Sequence, residues 1–232
     1  MPKKYLAALK QKLPDAEFFA FSGAASPGGE SVYETIFCHP DIYFFQIDTK
    51  KFVFSPNVSA DMLDLLRSKG AVLIKGKDTP FGRYPNTAKY NAVRVKDNIF
   101  HDFDHTDPVI KEIICENGLK EIAVKQGYSR CSLVNINDRA VITSDKGIAS
   151  AVKTEGIDAL LLRPGSILLP GEKYGFIGGA SGVLPDGRII FLGDIELHPE
   201  GERIKKFLIK YSADHVILDG LPLYDAGSLL IF

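Results

Sequence analysis

One pattern recurs four times along this chain of 232 residues. Each copy has two short apolar runs around a polar turn, then a segment with helical apolar spacing, then another apolar run. Self-similarity with a period of roughly 40 to 50 residues is typical of units that bury their apolar faces by stacking on one another. The pattern therefore predicts an α/β chain built from repeated ββαβ units. The alternative is one open α/β sheet, which would have a single strand before each helix.

The polar turns locate the strands and the apolar stripes locate the helices. The predicted strands are residues 43–45, 52–54 and 72–74, then 93–95, 99–100 and 122–124, then 133–136, 141–142 and 160–162, and finally 176–177, 189–191 and 216–218. The helical stripes are Met62, Leu65 and Leu66, then Ile110, Ile113 and Ile114, then Ile148, Ala151 and Val152, and finally Ile204, Phe207 and Leu208. In every copy the stripe precedes the last strand by about ten to twelve residues, which fits a short helix and a tight connection.

The two ends of the chain together supply a possible fifth unit. Residues 228–232 form an apolar run, Leu6 and Leu9 lie in a helix-compatible segment, and residues 18–21 form a strand candidate. Joined in that order they predict a fifth blade closed by the two termini, and a closed ring leaves no long exposed sheet edge. The alternative is that the first 40 residues decorate the surface.

Composition agrees with one domain spanning residues 1–232. The chain is 45% hydrophobic and 25% charged, which is enough apolar material for a large core. A net charge of −1 argues against broad nucleic-acid binding. The sequence shows neither a run of roughly 18 apolar residues nor a secretion signal, so it predicts no membrane partner. Three widely spaced cysteines favour a reducing, cytoplasmic location. The sequence indicates no cofactor and no metal, and it leaves the oligomeric state open.

Cysteine supplies the first candidate for chemistry. Cys131 lies between Arg130 and Ser132 at the start of a predicted strand, where a guanidinium neighbour would lower the thiol pKa and favour a nucleophilic thiolate. The alternative is an inert, packed thiol. Cys115 adjoins the second helical stripe and is predicted to be a small core residue.

Two groups of histidine and carboxylate residues could act as acids, bases or ligands. His198, Asp194 and Glu196 lie ahead of the fourth helix and could transfer protons or hold a metal ion, or could simply lead into a helix that begins near Pro199. The polar run from His101 to Asp107 could bind a metal, but alternation along a strand would separate its ligands, and a capped helix start explains it better.

Small and polar residues at predicted strand ends complete the candidates. The loop Gly178–Gly182, which includes Ser181, would allow close approach of another backbone or of a ligand. The stretch Gly23–Gly29 is predicted to be a mobile surface loop. Among the charged residues at strand ends, Arg130, Asp219 and Asp225 are the preferred candidates for lining a central pocket.

The layout and three segments resemble one known superfamily. The segments are YGFIGGASG at Tyr174–Gly182, FLGDIELHP at Phe191–Pro199 and LYDAGSLLIF at Leu223–Phe232. They are similar to the pentein, or guanidino-group-modifying enzyme, superfamily, and most similar to an uncharacterised bacterial branch of it. The resemblance implies five blades around a central polar channel. It also implies, for active members, attack on a guanidinium carbon by a cysteine near the C-terminus, helped by a histidine and by acidic residues that hold the cationic substrate.

The chain departs from that pattern in its last predicted blade. This blade begins with Asp225, Ala226, Gly227 and Ser228, and no cysteine follows Cys131. A hydroxyl at Ser228 is a poor replacement because it needs an adjacent base, whereas a thiol is already partly ionised near neutral pH. Cys131 lies at the corresponding position of another predicted blade, just before that blade's first strand.

Two classes of function follow from these residues. In the first, an enzyme or degenerate enzyme binds a small polar ligand, such as a cationic guanidino or amine compound, in a central channel. There Asp194, Asp219 and Asp225 would hold the cationic group, Ser181 and Ser228 would contact the ligand, and an active form would be a C–N bond hydrolase or a transferase in which His198 moves protons. In the second class, the protein is a non-catalytic interaction module on the same fold.

Overall fold

The strands are arranged in small, separate sheets. The structure is a computed structural model that describes residues 1–25 and 29–232. Within those residues the strands form four sheets of three strands each. In every sheet the first strand is antiparallel to the second, and the second is parallel to the third. The α/β class is therefore confirmed, and a single open sheet is excluded.

The element bounds follow the predicted order. The strands are β1 (Phe44–Gln46), β2 (Lys51–Phe54), β3 (Val72–Lys75), β4 (Val93–Val95), β5 (Asn98–His101), β6 (Lys120–Ala123), β7 (Leu133–Asn137), β8 (Ala140–Thr143), β9 (Asp158–Leu161), β10 (Ser181–Val183), β11 (Ile189–Phe191) and β12 (His215–Val216). The helices are α1 (Lys3–Lys12), α2 (Ala60–Ser68), α3 (Pro108–Glu116), the single turn α4 (Ser129–Ser132), α5 (Lys146–Thr154) and α6 (Gly201–Lys210). A helix thus joins the second and third strands of each sheet.

Helix starts are fixed by local sequence. Ser59, Asp107 and Asp145 are the N-cap residues of α2, α3 and α5, and their side chains accept hydrogen bonds from backbone N–H groups in the first turn. Apolar residues then recur at helical spacing and are buried, as Ile204 and Leu208 are in α6. α2, α3 and α5 thus combine a side-chain cap with an apolar face, whereas α6 has the apolar face without a side-chain cap.

The hydrophobic core is divided among the junctions between consecutive units. One apolar cluster joins Phe45 of the first unit to Ile99 of the second, and another joins Phe100 to Val141 of the third. A further cluster joins the third unit to the fourth. Each unit therefore completes its core only against its neighbour, as expected for stacked repeats.

The two termini pack between the fourth and first units without forming a fifth sheet. Tyr5 and Leu9 of α1 are buried against the fourth unit, in a cluster that also contains Phe18 and Leu229. Phe232 packs edge-on against the ring of Phe52 in the first unit. No strand is assigned in residues 1–25 or 217–232, so the strands predicted at 18–21 and 228–232 are absent as regular strands.

Other predictions require correction. The first strand of the fourth unit is β10, not residues 176–177, because the Phe176 N–H donates to the Asp225 carboxylate instead of to a neighbouring strand. Cys115 is exposed rather than part of the core. The predicted loop Gly23–Gly29 lies partly outside the described residues. None of the helices in the described ranges is long and apolar enough to cross a membrane.

Candidate functional site

In each unit a short segment precedes the first strand of the sheet. These segments and the C-terminal segment are joined in a closed ring of hydrogen bonds. We call the ring residues Asp41, Asn91, Arg130, Cys131, Gly178, Gly179, Gly227 and Ser228 the entry ring. The bonds that close it are Asn91 Nδ2 to the Asp41 carbonyl (3.0 Å), Arg130 N to the Asn91 carbonyl (2.9 Å), Gly179 N to the Cys131 carbonyl (2.9 Å), Ser228 N to the Gly179 carbonyl (2.9 Å) and Asp41 N to the Gly227 carbonyl (3.3 Å). Four sheets and the C-terminal segment thus meet at one place.

Two glycines allow the ring to be this tight. A Cβ on Gly178 would lie 2.3 Å from the carbonyl oxygen of Arg130. A Cβ on Gly179 would lie 2.0 Å from Oδ1 of Asp225. The predicted close backbone approach at the small-residue loop therefore occurs, and a side chain at either glycine would push the ring apart.

One buried carboxyl group joins the two potential nucleophiles. The Cys131 thiol donates to Oδ2 of Asp41 at 3.0 Å, and the Ser228 hydroxyl donates to the same oxygen at 2.6 Å. Asn91 Nδ2 donates to the Cys131 sulfur at 3.2 Å. Oδ1 of Asp41 is buried and has no hydrogen-bond partner in the described part of the chain.

The electrostatics of this group favour protonated forms. Burial raises the pKa of the Asp41 carboxyl, and burial together with the Asp41 and Asp225 carboxylates raises the pKa of the Cys131 thiol well above its ordinary value. The expectation that Arg130 activates this thiol is therefore wrong, because desolvation and two neighbouring carboxylates outweigh one guanidinium. Cys131 is poorly suited to act as a thiolate nucleophile.

Arg130 is held by backbone carbonyls. Nη1 donates to the carbonyls of Leu133 (3.3 Å) and Gly178 (3.2 Å), and Nη2 donates to the carbonyl of Ser181 (3.3 Å). These bonds use at most three of the five guanidinium donors. Burial lowers the pKa of Arg130, and the carboxylates of Asp41 and Asp225 oppose that shift. The guanidinium stays charged and keeps donors for a further partner.

Asp225 is the second buried carboxyl group beside the entry ring. It accepts hydrogen bonds from the N–H groups of Phe176 (2.8 Å) and Gly227 (2.9 Å). Burial raises its pKa to about 6, although those two bonds and Arg130 act in the opposite direction. Asp225 therefore changes charge near neutral pH.

His39 is a further buried residue at this place. Its Nδ1 lies 3.8 Å from Oδ1 of Asp225, and it packs so closely on Gly227 that a Cβ there would lie 2.2 Å from the His39 Cβ. Burial lowers the pKa of His39, so the imidazole is neutral at neutral pH. His39 and Asp225 are thus two titratable side chains that lie close together within the core.

A cavity of about 540 Å³ lies between the entry ring and the hairpin turns; we call it the axial cavity. Its walls include residues of β1, β4, β7 and β10 and of the C-terminal segment 229–231. Arg130 and Ser181 border it on the side of the ring. The polar residues of the wall and mouth are Gln46, Asp48, Thr49, Arg94, Lys96, Asp97, Asn135 and Asp138. This volume suits a small-molecule ligand.

Three predicted site residues lie away from the entry ring. His198 accepts a hydrogen bond from the Glu200 N–H at 3.1 Å and borders a separate, smaller cavity of about 280 Å³. Asp194 accepts from the N–H groups of Glu196 (2.9 Å) and Gly220 (3.1 Å). Asp219 is exposed and pairs with Lys12. Asp194, Asp219 and Asp225 therefore do not form one cation-holding group, and the hydrogen bond of His198 goes to the backbone just ahead of α6.

The structure brings together Arg130, Cys131, Ser181, Asp225 and Ser228, and it adds residues that sequence reasoning missed. The missed residues are His39, Asp41 and Asn91. A signal for two of them exists: Asp41 and Asn91 precede their first strands by three and two residues, much as Cys131 precedes β7. Searching every unit for polar residues two or three positions before its first strand would have identified Asp41 and Asn91. No group of side chains in residues 1–25 and 29–232 is arranged to hold a metal ion.

Comparison with known proteins places the chain in a family. Residues 20–230 match the model of a family of unknown function, DUF6873. The chain belongs to that family. No curated protein matches it in sequence.

Solved structures share its fold. The amidinotransferase SxtG from Microseira wollei is 12% identical, and the match covers 98% of this chain and 80% of that one with a TM-score of 0.52. Weaker matches are DDAH from Pseudomonas aeruginosa (7% identical, 82% and 70% covered, TM-score 0.48) and the agmatine deiminase of C. jejuni (12% identical, 76% and 66% covered, TM-score 0.46). The match to SxtG confirms the predicted resemblance at the level of fold.

Proposed function

We propose that this protein binds a small polar ligand in the axial cavity and is a pentein relative that does not use a cysteine thiolate. The observation that carries the proposal is the position of Arg130. Its half-buried guanidinium has unused donors and borders a cavity of about 540 Å³. A partly buried cation beside an accessible cavity is a ready recognition element for an incoming polar group.

The proposal includes a five-bladed, propeller-like arrangement of one domain, residues 1–232. Two observations support it. The hydrogen bonds of the entry ring connect five segments in a cycle, and the same five sectors contribute wall residues to the axial cavity. The fifth sector would then be the C-terminal segment together with α1, which pack on each other and on the fourth unit without regular strand pairing.

Binding is proposed in place of thiol catalysis because the Cys131 thiol is not activated. The relatives that share the fold include an amidinotransferase and a deiminase by name. Here the C-terminal position of the entry ring is Ser228, and the Cys131 thiol is buried, protonated and hydrogen-bonded to Asp41. Turnover by covalent attack would need a proton to leave a thiol whose pKa is raised.

Native mass spectrometry of protein purified from its host tests the proposal. We expect a bound small molecule that is released on denaturation. In Val183→Trp, a large side chain at the wall of the axial cavity should remove that molecule. The matched control is Val72→Trp, because Val72 is also exposed but does not line the cavity. Equal occupancy in both variants would exclude the axial cavity as the site.

A non-catalytic interaction module is a second candidate, favoured by an aromatic row whose outer member, Tyr84, is exposed. Tyr84 is about half exposed and packs edge-on against Tyr128, which in turn packs against Phe176. Exposed aromatic side chains are frequent anchors at protein interfaces. Crosslinking in extract with wild type and Tyr84→Ala distinguishes this candidate: a stoichiometric protein partner lost in the variant supports it, and the absence of a partner excludes it.

A further inference from the structure

We infer that the C-terminal segment Leu229–Phe232 is a docking edge for an extended, apolar peptide strand of another protein, which pairs with it in antiparallel orientation. The inference goes beyond the proposed ligand site, because it concerns the outer backbone edge of this segment. It rests on the five-sector arrangement only in taking the segment as the counterpart of a first strand.

The C-terminal segment corresponds in position to β1. Ser228 and Asp41 begin the two segments in the entry ring, and the N–H group of each donates to a carbonyl of the preceding segment of the ring. Both segments also line the axial cavity, whereas β2, β5, β8 and β11 do not. The residues two and four positions after Asp41 are Tyr43 and Phe45, and those at the same distances after Ser228 are Leu230 and Phe232.

In the first unit these two positions are bonded to the second strand. The carbonyl of Tyr43 accepts a hydrogen bond from the N–H group of Ser55 at 2.8 Å. Phe45 is paired with Val53 in the antiparallel ladder of β1 and β2. The outer backbone edge of β1 is therefore satisfied by β2.

The corresponding edge of the C-terminal segment is unpaired. The N–H group of Leu229 and the carbonyl of Ile231 are hydrogen-bonded to neighbouring units, at 3.0 Å and 2.8 Å. The backbone N–H and carbonyl groups of Leu230 and Phe232 have no hydrogen-bond partner in residues 1–25 and 29–232. Backbone groups alternate in direction along a strand, so the unpaired groups lie on the side opposite to the bonded ones. Unpaired edges of this kind readily accept another strand.

The side chains of the segment are also incompletely covered. Leu229 and Ile231 pack in the cluster of the fourth unit, and Leu230 and Phe232 pack in the cluster of the first unit. This alternation is that of a strand. All four residues are partly exposed, whereas residues 43–45 of the first unit are buried. A strand placed beside the segment would therefore add apolar cover as well as hydrogen bonds.

No second strand accompanies the segment in the part of the chain that the structure describes. In each sheet the second strand lies between the first and the third. Residues 17–21 follow α1 as β3 follows α2, and Glu17 pairs with Lys69, which comes shortly before β3, at 2.7 Å. The backbone groups of residues 17–21 likewise have no hydrogen-bond partner among the described residues. This sector thus has counterparts of a first strand and a helix, but none of a second strand.

The other units indicate what kind of strand fits. Phe52, Val53 and Phe54 of β2 are at most 4% exposed, and residues 189–191 of β11 are fully buried. The partner strand should therefore carry about three consecutive β-branched or aromatic residues. A second copy of this chain could not supply one readily, because β2, β5, β8 and β11 each lie between two strands of their own sheet.

An extension of the chain after Phe232 tests the edge directly. The extension copies Gln46–Ser55, so that the copy of Val53 is placed opposite Phe232. We expect the midpoint of thermal unfolding to rise by about 5 °C, because backbone bonds and apolar cover are gained. The control extension has proline in place of the copied Val53; it lacks that N–H group and should leave the midpoint unchanged. Equal midpoints for the two extended chains would overturn the inference.

The same strand supplied as a separate peptide tests recognition. The probe is a fluorescein-labelled copy of Lys50–Ser55, measured by fluorescence anisotropy against the same peptide with proline in place of Val53. We expect the proline peptide to bind at least about tenfold more weakly. Leu230→Pro in the protein removes one unpaired N–H group and should weaken the unmodified peptide similarly; the extension experiment decides if this variant does not fold.

Two results would contradict the peptide assignment. One is equal affinity for the two peptides. The other is a dimer of the free protein that the peptide dissociates, because the edge would then belong to a second copy. The Val183→Trp experiment reports separately on the axial cavity. A metabolite retained in that variant together with peptide binding refutes the ligand site alone, and a metabolite lost while the extended chains behave alike refutes the docking edge alone.

Discussion

Two buried polar clusters in this protein differ in how completely their groups are hydrogen-bonded. The first, which we call the His101 cluster, consists of Tyr90, His101, Thr106 and Asp107 in the second unit. His101 Nδ1 lies 2.5 Å from the Thr106 hydroxyl, and Nε2 lies 2.8 Å from the Gly127 carbonyl. The second cluster is the entry ring with Asp225. Both are withdrawn from water, so burial alone does not separate them.

The carboxylates of Asp107 and Asp41 show the difference. Asp107 accepts from the N–H groups of Lys77, Asp78 and Val109 and from the Tyr90 hydroxyl, so both of its oxygens are used. Asp41 uses only one oxygen. A fully bonded network stabilises a loop and caps a helix, whereas a partly bonded one beside a cavity has capacity for a ligand. Completeness of bonding therefore distinguishes the two clusters, whereas residue type does not.

The largest expected effect is the difference between Asp107→Asn and Asp41→Asn in the free energy of unfolding that each variant loses. Asp107→Asn places an amide nitrogen against backbone donors, and we expect a loss of about 4 kcal/mol in the free energy of unfolding. Asp41→Asn should cost less than about 1 kcal/mol, because the amide oxygen can accept the bonds from Cys131 and Ser228 and the amide nitrogen would replace the oxygen that has no partner. Urea unfolding measures both. Equal losses would show that the two clusters do not differ as described.

The second effect is an opposite dependence on pH. Burial lowers the pKa of His101 to about 4 from 6.5, so its contribution to stability is lost as the pH falls through that interval. Burial raises the pKa of Asp225 to about 6 from 3.8, so its contribution is greatest below 3.8 and is lost as the pH rises toward 6. Each contribution is roughly 3 kcal/mol.

Variants separate the two contributions. Relative to wild type, His101→Gln should lose less stability on acidification, and Asp225→Asn should gain less. Urea unfolding at several pH values between 4 and 6.5, the interval set by the His101 shift, provides the measurement. If both variants changed the slope in the same direction, the assignment of opposite signs would be wrong.

The smallest effect concerns how many of the three cysteine thiols an alkylating reagent can reach, and it involves no change in stability. Cys38 and Cys115 are exposed, whereas Cys131 is buried in the entry ring. We expect an alkylating reagent to modify two thiols in the native protein and the third only after unfolding. Cys131→Ala is the control and should leave the native count at two. Rapid modification of all three native thiols would show that the ring opens readily.

Much of the fold follows from patterns that act locally. The alternation of short apolar runs, turns and helical stripes correctly predicted most strands and all four helices that join second and third strands, because caps such as Asp107 and stripes such as Ile204 to Leu208 determine structure over a few residues. The strand predicted at 176–177 was wrong because its N–H group is taken by Asp225, 49 positions away. No residue near Phe176 in the sequence indicates its contact with Asp225.

The candidate site was less predictable for the same reason. Arg130, Cys131, Asp225 and Ser228 were chosen from strand-entry positions and from the resemblance, and they do come together. Asp194 was chosen as a neighbour of His198 ahead of the fourth helix and Asp219 as a charged residue at a strand end, but the carboxylate of Asp194 is already satisfied by backbone N–H groups and Asp219 is exposed and pairs with Lys12. A carboxylate's unused bonding capacity depends on distant neighbours, which a sequence does not show.

The order in which the entry ring forms has a kinetic consequence. Most strand pairs join residues close in sequence, whereas the contact between Asp41 and Ser228 spans 187 positions. Long-range closure carries a large entropic cost and slows folding. The hairpins can therefore form without the contact between Asp41 and Ser228, and we expect closure of the entry ring to be a slow step of folding.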